Sequence, residues 1–168
     1  MPASAETYGE VSSLLWRERE VLEDLLFKLV EEHLLVSSGA TRWLPKATSE
    51  VAAAVERMRL QEIARAVEVE HLAGQLGLPA DTTLAQLAET AEEPWAMLFG
   101  EHRTALRDLV LETQGVADET CRLLAAAGRA TNDTLHQLGL STATYDARGD
   151  RTVFGAGLRG SRLLDEQV

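Results

Sequence analysis

Apolar residues recur at a spacing of three and four along three long stretches of the chain, and this helical period constrains the fold more than any other feature. The stretches span residues 11–36, 43–75 and 94–134. Aromatic residues make up only 5% of the 168 residues, and only 4 are proline, a composition that favours helices over sheets. The sequence therefore predicts an all-α fold.

The first stretch carries its apolar residues on one face of a helix. At about 100° per residue, the following residues lie within about 60° of Leu15: Val11, Leu22, Leu26, Leu29, Val30, His33 and Val36. Five more widen this face on either side: Leu14, Trp16, Leu25, Phe27 and Leu34. Such a wide face contacts more than one neighbour, either helices of the same chain or a second polypeptide. Gly39 is expected to end this helix.

The second stretch predicts a helix that pairs with the first in an antiparallel hairpin. Its expected buried side consists of Leu44, Val51, Val55, Met58, Leu60, Ile63, Val67 and Leu72. Pro45 is compatible with the first helical turn, and the glycines and proline of residues 74–79 end the helix. Thr83 and Gln86 then have the spacing of a capping box, which predicts a short helix.

The third stretch predicts one long C-terminal helix with coiled-coil-like packing. Its seam consists of Phe99, His102, Leu106, Leu109, Thr113, Val116, Thr120, Leu123, Ala127, Ala130 and Thr134. Gly100, Gly115 and Gly128 are expected to loosen this helix without ending it. Because the seam changes from Phe and Leu to Thr and Ala, its C-terminal half is expected to be underfilled by its own chain.

The periodicity disappears after Gly139, so we expect a helical domain over residues 1–139 and a flexible C-terminal tail over residues 140–168. The tail contains a few separated apolar residues: Tyr145, Val153, Phe154 and Leu158. Such an arrangement is typical of segments that become ordered on binding, but ordinary frayed termini have it too.

The net charge of −11 makes nucleic acid and anionic lipid surfaces poor partners, because the protein repels phosphate groups. No stretch approaches the roughly 18 consecutive apolar residues of a membrane span, and residues 1–10 do not resemble a secretion signal. The single cysteine, Cys121, cannot form an internal disulfide and is expected to be a small core residue. These features predict a cytoplasmic protein without membrane insertion.

No motif predicts catalysis, a cofactor or a metal site. A di-iron bundle needs two Glu-x-x-His pairs, and the chain has only Glu68 with His71, which we expect to lie on a solvated helix face. His33 and His102 are expected to be half-buried and hydrogen-bonded to neighbouring side chains. The Gly-x-Gly-x-x-Gly string at residues 155–160 follows no strand and is a chance match.

Several short motifs occur in an order that resembles a known family. Residues 14–20 read Leu-Leu-Trp-Arg-Glu-Arg-Glu and are followed by Phe27-Lys28 and Arg42-Trp43-Leu44. Residues 62–68 read Glu-Ile-Ala-Arg-Ala-Val-Glu, before a Leu-Gly-Leu-Pro break at 76–79, Pro94-Trp95 and Thr-Tyr-Asp-Ala-Arg-Gly at 144–149. Over residues 8–149 the chain resembles the flagellar export chaperones of the FlgN family, in their actinobacterial form.

The resemblance implies a cytoplasmic protein that binds the C-terminal segments of hook-associated proteins, prevents their aggregation and delivers them to the type III export gate. Family members bind these clients through the C-terminal part of the long helix. Here this part contains Val116, Leu123, Leu124, Ala127, Leu135 and Leu138. Tyr145 resembles a tyrosine that the family uses at the export gate.

Two other interpretations stay open at this stage. The same six residues can close the bundle within one chain, and Tyr145 can be an exposed turn residue. The protein can also be a self-associating structural protein without a client, whose seam is a homodimer interface. The sequence does not distinguish a monomer from a homodimer, nor does it identify the client.

Overall fold

The computed structural model describes residues 4–137 and the backbone of residues 144–145 and 151–152. Its elements are helix α1 (Ala5–Ser37), a 3-10 turn (Thr41–Trp43), helices α2 (Leu44–Leu76), α3 (Leu84–Thr90) and α4 (Trp95–Gln137), and strands β1 (Thr144–Tyr145) and β2 (Arg151–Thr152). The predicted all-α fold, with a hairpin, a short helix and a long C-terminal helix, is confirmed. Coiled-coil packing stays a prediction.

The chain divides into two compact units, Met1–Leu124 and Ala125–Val168. The predicted boundary after residue 139 stays a prediction. Most of the predicted flexible tail lies outside the described residues. Strands β1 and β2 form a two-residue antiparallel pair in which Thr144 lies opposite Thr152.

Helix α1 begins six residues before the first residue of its predicted stretch, because Ser4 caps it. The Ser4 hydroxyl accepts a hydrogen bond from the backbone N–H of Thr7 (3.2 Å). The extra turns bury Tyr8, whose ring stacks on that of Trp95 at 5.5 Å. The prediction began at Val11 because it followed only the apolar repeat and did not consider the cap.

Glycines end α1 and α2, as predicted. Gly39 and Gly77 have φ angles of 70° and 72°, in the left-handed region that glycine adopts without a Cβ clash. Between α2 and α4, Thr83 and Gln86 form the predicted capping box at the start of α3. Leu87 of α3 is fully buried and covers one end of the core.

Helices α1 and α2 are antiparallel, and α4 runs parallel to α1. The order of the contacts between α1 and α4 shows this direction: Tyr8 meets Trp95, Trp16 meets His102, and His33 meets Thr120. The first core cluster consists of Tyr8, Val11, Leu15, Val69, Leu72, Leu87 and Phe99. The second consists of Leu22, Leu25, Leu29 and Ala54, with half-buried Val51, Val55, Met58, Leu106, Leu109, Val116 and Ala117 packed against it.

The predicted buried side of α2 is wrong at three positions. Leu60, Ile63 and Val67 are 60%, 63% and 60% exposed. At about 100° per residue, Ile63 lies opposite the buried residues Ala54 and Leu72, so the prediction combined two different faces of the helix. The face that packs on α1 instead uses small and polar residues in the middle of α2.

A polar layer lies between α1 and α2 at this level. Glu18 is buried, and the Nε atom of Arg65 lies 2.7 Å from its Oε2 atom. The two atoms are close without the alignment of a hydrogen bond. Burial raises the pKa of the Glu18 carboxyl group, and the nearby Arg65 charge opposes this shift. Gln61 also donates a hydrogen bond to the backbone oxygen of Leu14 (3.2 Å).

Candidate client-binding site

The seam of α4 is covered by its own chain from Phe99 to Thr120. Phe99 is fully buried, and Thr113 and Thr120 are buried further along the helix. The hydroxyl groups of these two threonines donate to the backbone oxygens of Leu109 (2.7 Å) and Val116 (2.8 Å). Their hydroxyl groups are therefore satisfied within the helix, which permits threonine at buried seam positions.

The side chain of His33 forms a hydrogen bond from α1 to α4. The hydroxyl hydrogen of Thr120 is used for the Val116 carbonyl, so the Nδ1–H of His33 donates to Thr120 Oγ1 (3.2 Å). This confirms the expectation that a neighbouring side chain satisfies His33. Helix α1 ends at Ser37, about one turn beyond this contact.

Leu123 and Leu124 follow the His33 contact and are only partly covered. They are 36% and 38% exposed, whereas Val116 packs against the second core cluster. Three of the six predicted client-binding residues belong to the first unit: Val116, which packs against the core, and the two partly exposed leucines. This exposure agrees with the expected underfilling of the seam beyond Thr120.

The remaining predicted site residues belong to the second unit. Ala127 is exposed and Leu135 is half-buried. Leu135 is the one residue of 125–137 that is not exposed. Leu138 lies outside the described residues, and for Tyr145 the structure describes only the backbone, which forms part of β1. The roles of all seven residues stay predictions.

Two predictions about single side chains are wrong. Cys121 was expected in the core and is exposed, because it lies on the side of α4 about 100° from the seam. His102 is 1% exposed, and neither ring nitrogen has a hydrogen-bond partner among the residues that the structure describes. Its ring instead makes an edge-to-face contact with Trp16, 4.9 Å between centroids. Burial lowers the pKa of His102, and the positive charge of Arg19 lowers it further.

Glu68 and His71 lie on an exposed face of α2, as expected, with 3.8 Å between His71 Nδ1 and Glu68 Oε2. Among residues 4–137, no group of three or more His, Cys, Asp or Glu side chains is placed to hold a metal ion. In the same part of the chain, no helix is long and apolar enough to cross a membrane.

A second apolar surface lies where the hairpin turns. A cleft of about 510 Å³ is lined by Leu34, Leu35, Trp43 and Ala47, with four polar residues at its edge: Glu31, Ser38, Lys46 and Glu50. Leu34 and Trp43 are 60% and 54% exposed. Leu34 belongs to the wide apolar face predicted for α1, but the helical repeat does not indicate that it is exposed.

The fold and the exposed leucines define a structural class: a small, acidic, all-helical protein with an incompletely covered long helix. The family model described as FlgN protein matches residues 1–152 of the chain. The chain therefore belongs to the FlgN family, which is a family of flagellar export chaperones and not of enzymes. A search of curated proteins finds no match. A search of solved structures finds none either.

Proposed function

We propose that this protein is a cytoplasmic type III export chaperone that binds the C-terminal segments of hook-associated proteins through the C-terminal part of α4. It keeps these segments from aggregating before export and delivers them to the export apparatus. The observation that carries the proposal is the exposure of Leu123 and Leu124, one turn beyond the hydrogen bond between His33 and Thr120. Membership of the FlgN family supports the same function.

The two leucines by themselves are too small a site. About two-thirds of each residue is already covered, so complete burial contributes about 0.5–1 kcal/mol for each. Micromolar binding requires about 8 kcal/mol. The client must therefore contact further residues of α4, and we propose Ala127 and Leu135 among them. An amphipathic client helix can add apolar side chains of its own to such contacts.

The test compares variants of α4 that carry the same substitution on different faces. We expect Leu123→Asp combined with Leu135→Asp to weaken binding of a hook-associated C-terminal segment by more than about tenfold, measured by calorimetric titration. The matched control is Leu111→Asp, because Leu111 is 56% exposed and lies about 180° from the seam. Equal affinities of the two variants would contradict the site. Loss of helicity in the double variant would show that these residues close the bundle instead.

The reactivity of the Cys121 thiol reports on the Leu124 side of α4 in the unsubstituted chain. It is exposed and lies one turn before Leu124. We expect a saturating client segment to slow the reaction of its thiol with a maleimide several-fold. An unchanged reaction rate in a complex that has been shown to form would mean that the client does not cover the Leu124 side of α4.

We propose that Tyr145 acts at the export gate and not in client binding. We expect Tyr145→Ala to bind the client as the unchanged chain does and to reduce export of hook-associated proteins into the medium. The conservative variant Tyr145→Phe separates the ring from the hydroxyl group. A loss of client affinity in Tyr145→Ala would assign the residue to the client instead.

A further inference from the structure

Helix α2 has a second apolar face that the fold does not use. Leu60, Ile63 and Val67 are each at least 60% exposed and lie within about 60° of one another on the helical wheel, on the side away from Ala54 and Leu72. Branched aliphatic side chains at this spacing form a continuous ridge over two turns. Together these three residues are called the α2 ridge.

The charges beside the α2 ridge are arranged with opposite signs at its two ends. Arg59 precedes the ridge and Glu70 follows it, and both are exposed on the same flank. Arg59 has one weak partner in its own helix, Glu56 at 3.6 Å. Glu70 takes part in none of the ion pairs among the described residues. A second copy of α2 that runs antiparallel along the ridge therefore brings its Glu70 to Arg59 and its Arg59 to Glu70.

We propose that the α2 ridge is the interface of a homodimer in which two copies of α2 pack antiparallel. With the two-fold axis between residues 63 and 64, Leu60 lies level with Val67 of the partner, and Ile63 lies next to the axis. Ala64 permits close approach of the helices there. Arg59 then comes within about 3 Å along the axis of the partner's Glu70, and symmetry provides this ion pair twice.

A parallel pairing in register is less favourable because it leaves Arg59 of one copy and Glu70 of the other about 16 Å apart along the helix axis, too far to form an ion pair. The antiparallel interface is small, since residues 56–71 span about 24 Å of helix. Interfaces of this size are weak, so we expect a dimer that forms on the order of tens of micromolar. This surface is separate from the proposed client site on α4.

Disulfide crosslinking tests the register directly. In a Cys121→Ser background, Leu60→Cys with Val67→Cys is expected to give covalent dimers under mild oxidation. Leu60→Cys by itself is the matched control, because its two copies lie about 10 Å apart along the axis, too far for a disulfide. Absence of dimers in the double variant, or equal crosslinking of the control, would overturn the antiparallel dimer.

Sedimentation of the full chain tests the ion pairs. Arg59→Glu and Glu70→Arg are each expected to weaken the dimer about tenfold, and the combination of both is expected to restore it. Ile63→Asp is expected to give a monomer at all concentrations while the helicity stays unchanged, since Ile63 is exposed in the monomer. A chain that is monomeric before any substitution, or single charge reversals without effect, would refute the proposal.

Discussion

Removal of the Arg65 charge tests how the polar layer between α1 and α2 is held together. The Glu18 side chain is only 7% exposed, whereas the Arg65 side chain is 31% exposed. Breaking a fully buried ion pair costs about 3–5 kcal/mol and breaking a surface pair costs less than about 1 kcal/mol. Because one partner is buried and the other is partly solvated, we expect Arg65→Met to lower the free energy of unfolding by about 2–3 kcal/mol at about pH 7.

The dependence on pH identifies the cause of this loss. Burial already raises the pKa of Glu18 above its ordinary value, so the folded state holds the proton to a higher pH than the unfolded state does. Stability therefore falls as the pH rises from the ordinary glutamate value through the raised one. Without Arg65 the pKa rises further, and this fall becomes larger. The difference between Arg65→Met and the unchanged chain is expected to shrink near pH 4, where Glu18 is protonated in both.

Urea denaturation followed by circular dichroism measures both quantities. The matched control is Glu18→Leu with Arg65→Met, which removes both charges and is expected to stay within about 1 kcal/mol of the unchanged chain. Two results would refute the role of an unpaired, buried Glu18 carboxylate. One is a loss of less than about 0.5 kcal/mol in the free energy of unfolding of Arg65→Met, and the other is an equal loss at about pH 7 and about pH 4.

Three further predictions follow from the same structure. Gly115→Ala is expected to stabilise α4 by about 0.5–1 kcal/mol in thermal denaturation, because an added Cβ meets nothing within 4 Å; Gly77→Ala is its opposite control and costs about 1 kcal/mol at a φ of 72°. Leu15→Ala removes a fully buried core side chain and should cost about 2–5 kcal/mol in urea; a cost below about 1 kcal/mol would contradict its place in the core. Burial lowers the pKa of His102, so its contribution to stability is complete above the ordinary histidine pKa and is lost as the pH falls from that value through the lowered one. His102→Leu should remove this acid-dependent loss, and an unchanged slope in denaturation from about pH 7 to about pH 5 would exclude His102 as its source.

The helix positions were predictable because their signals are local. The glycine stops at Gly39 and Gly77 and the capping box at Thr83 depend on neighbouring residues alone, and the structure has all three. The start of α1 was missed because the Ser4 cap lies outside the apolar repeat. The match of the FlgN family over residues 1–152 includes the ordered motifs that had suggested this family.

Side-chain burial was less predictable, because it depends on which face of a helix meets a neighbour. Ile63 and Leu72 are both apolar, and only the positions of the neighbouring helices decide that Leu72 is buried and Ile63 is exposed. A helical wheel centred on Ala54 would have separated the two faces. The buried Glu18 could not be inferred at all, since its partner Arg65 is distant in sequence and pairs with it only in the folded hairpin.

Size-exclusion chromatography with light scattering shows directly whether the C-terminal part of α4 binds a hook-associated client. The chain is run alone, mixed with the C-terminal segment of a hook-associated protein, and mixed again as the Leu123→Asp, Leu135→Asp variant and the Leu111→Asp control. We expect a complex of defined mass for the unchanged chain and for the control, and separate elution for the double variant. Elution of the unchanged chain apart from every hook-associated segment would contradict client binding by α4.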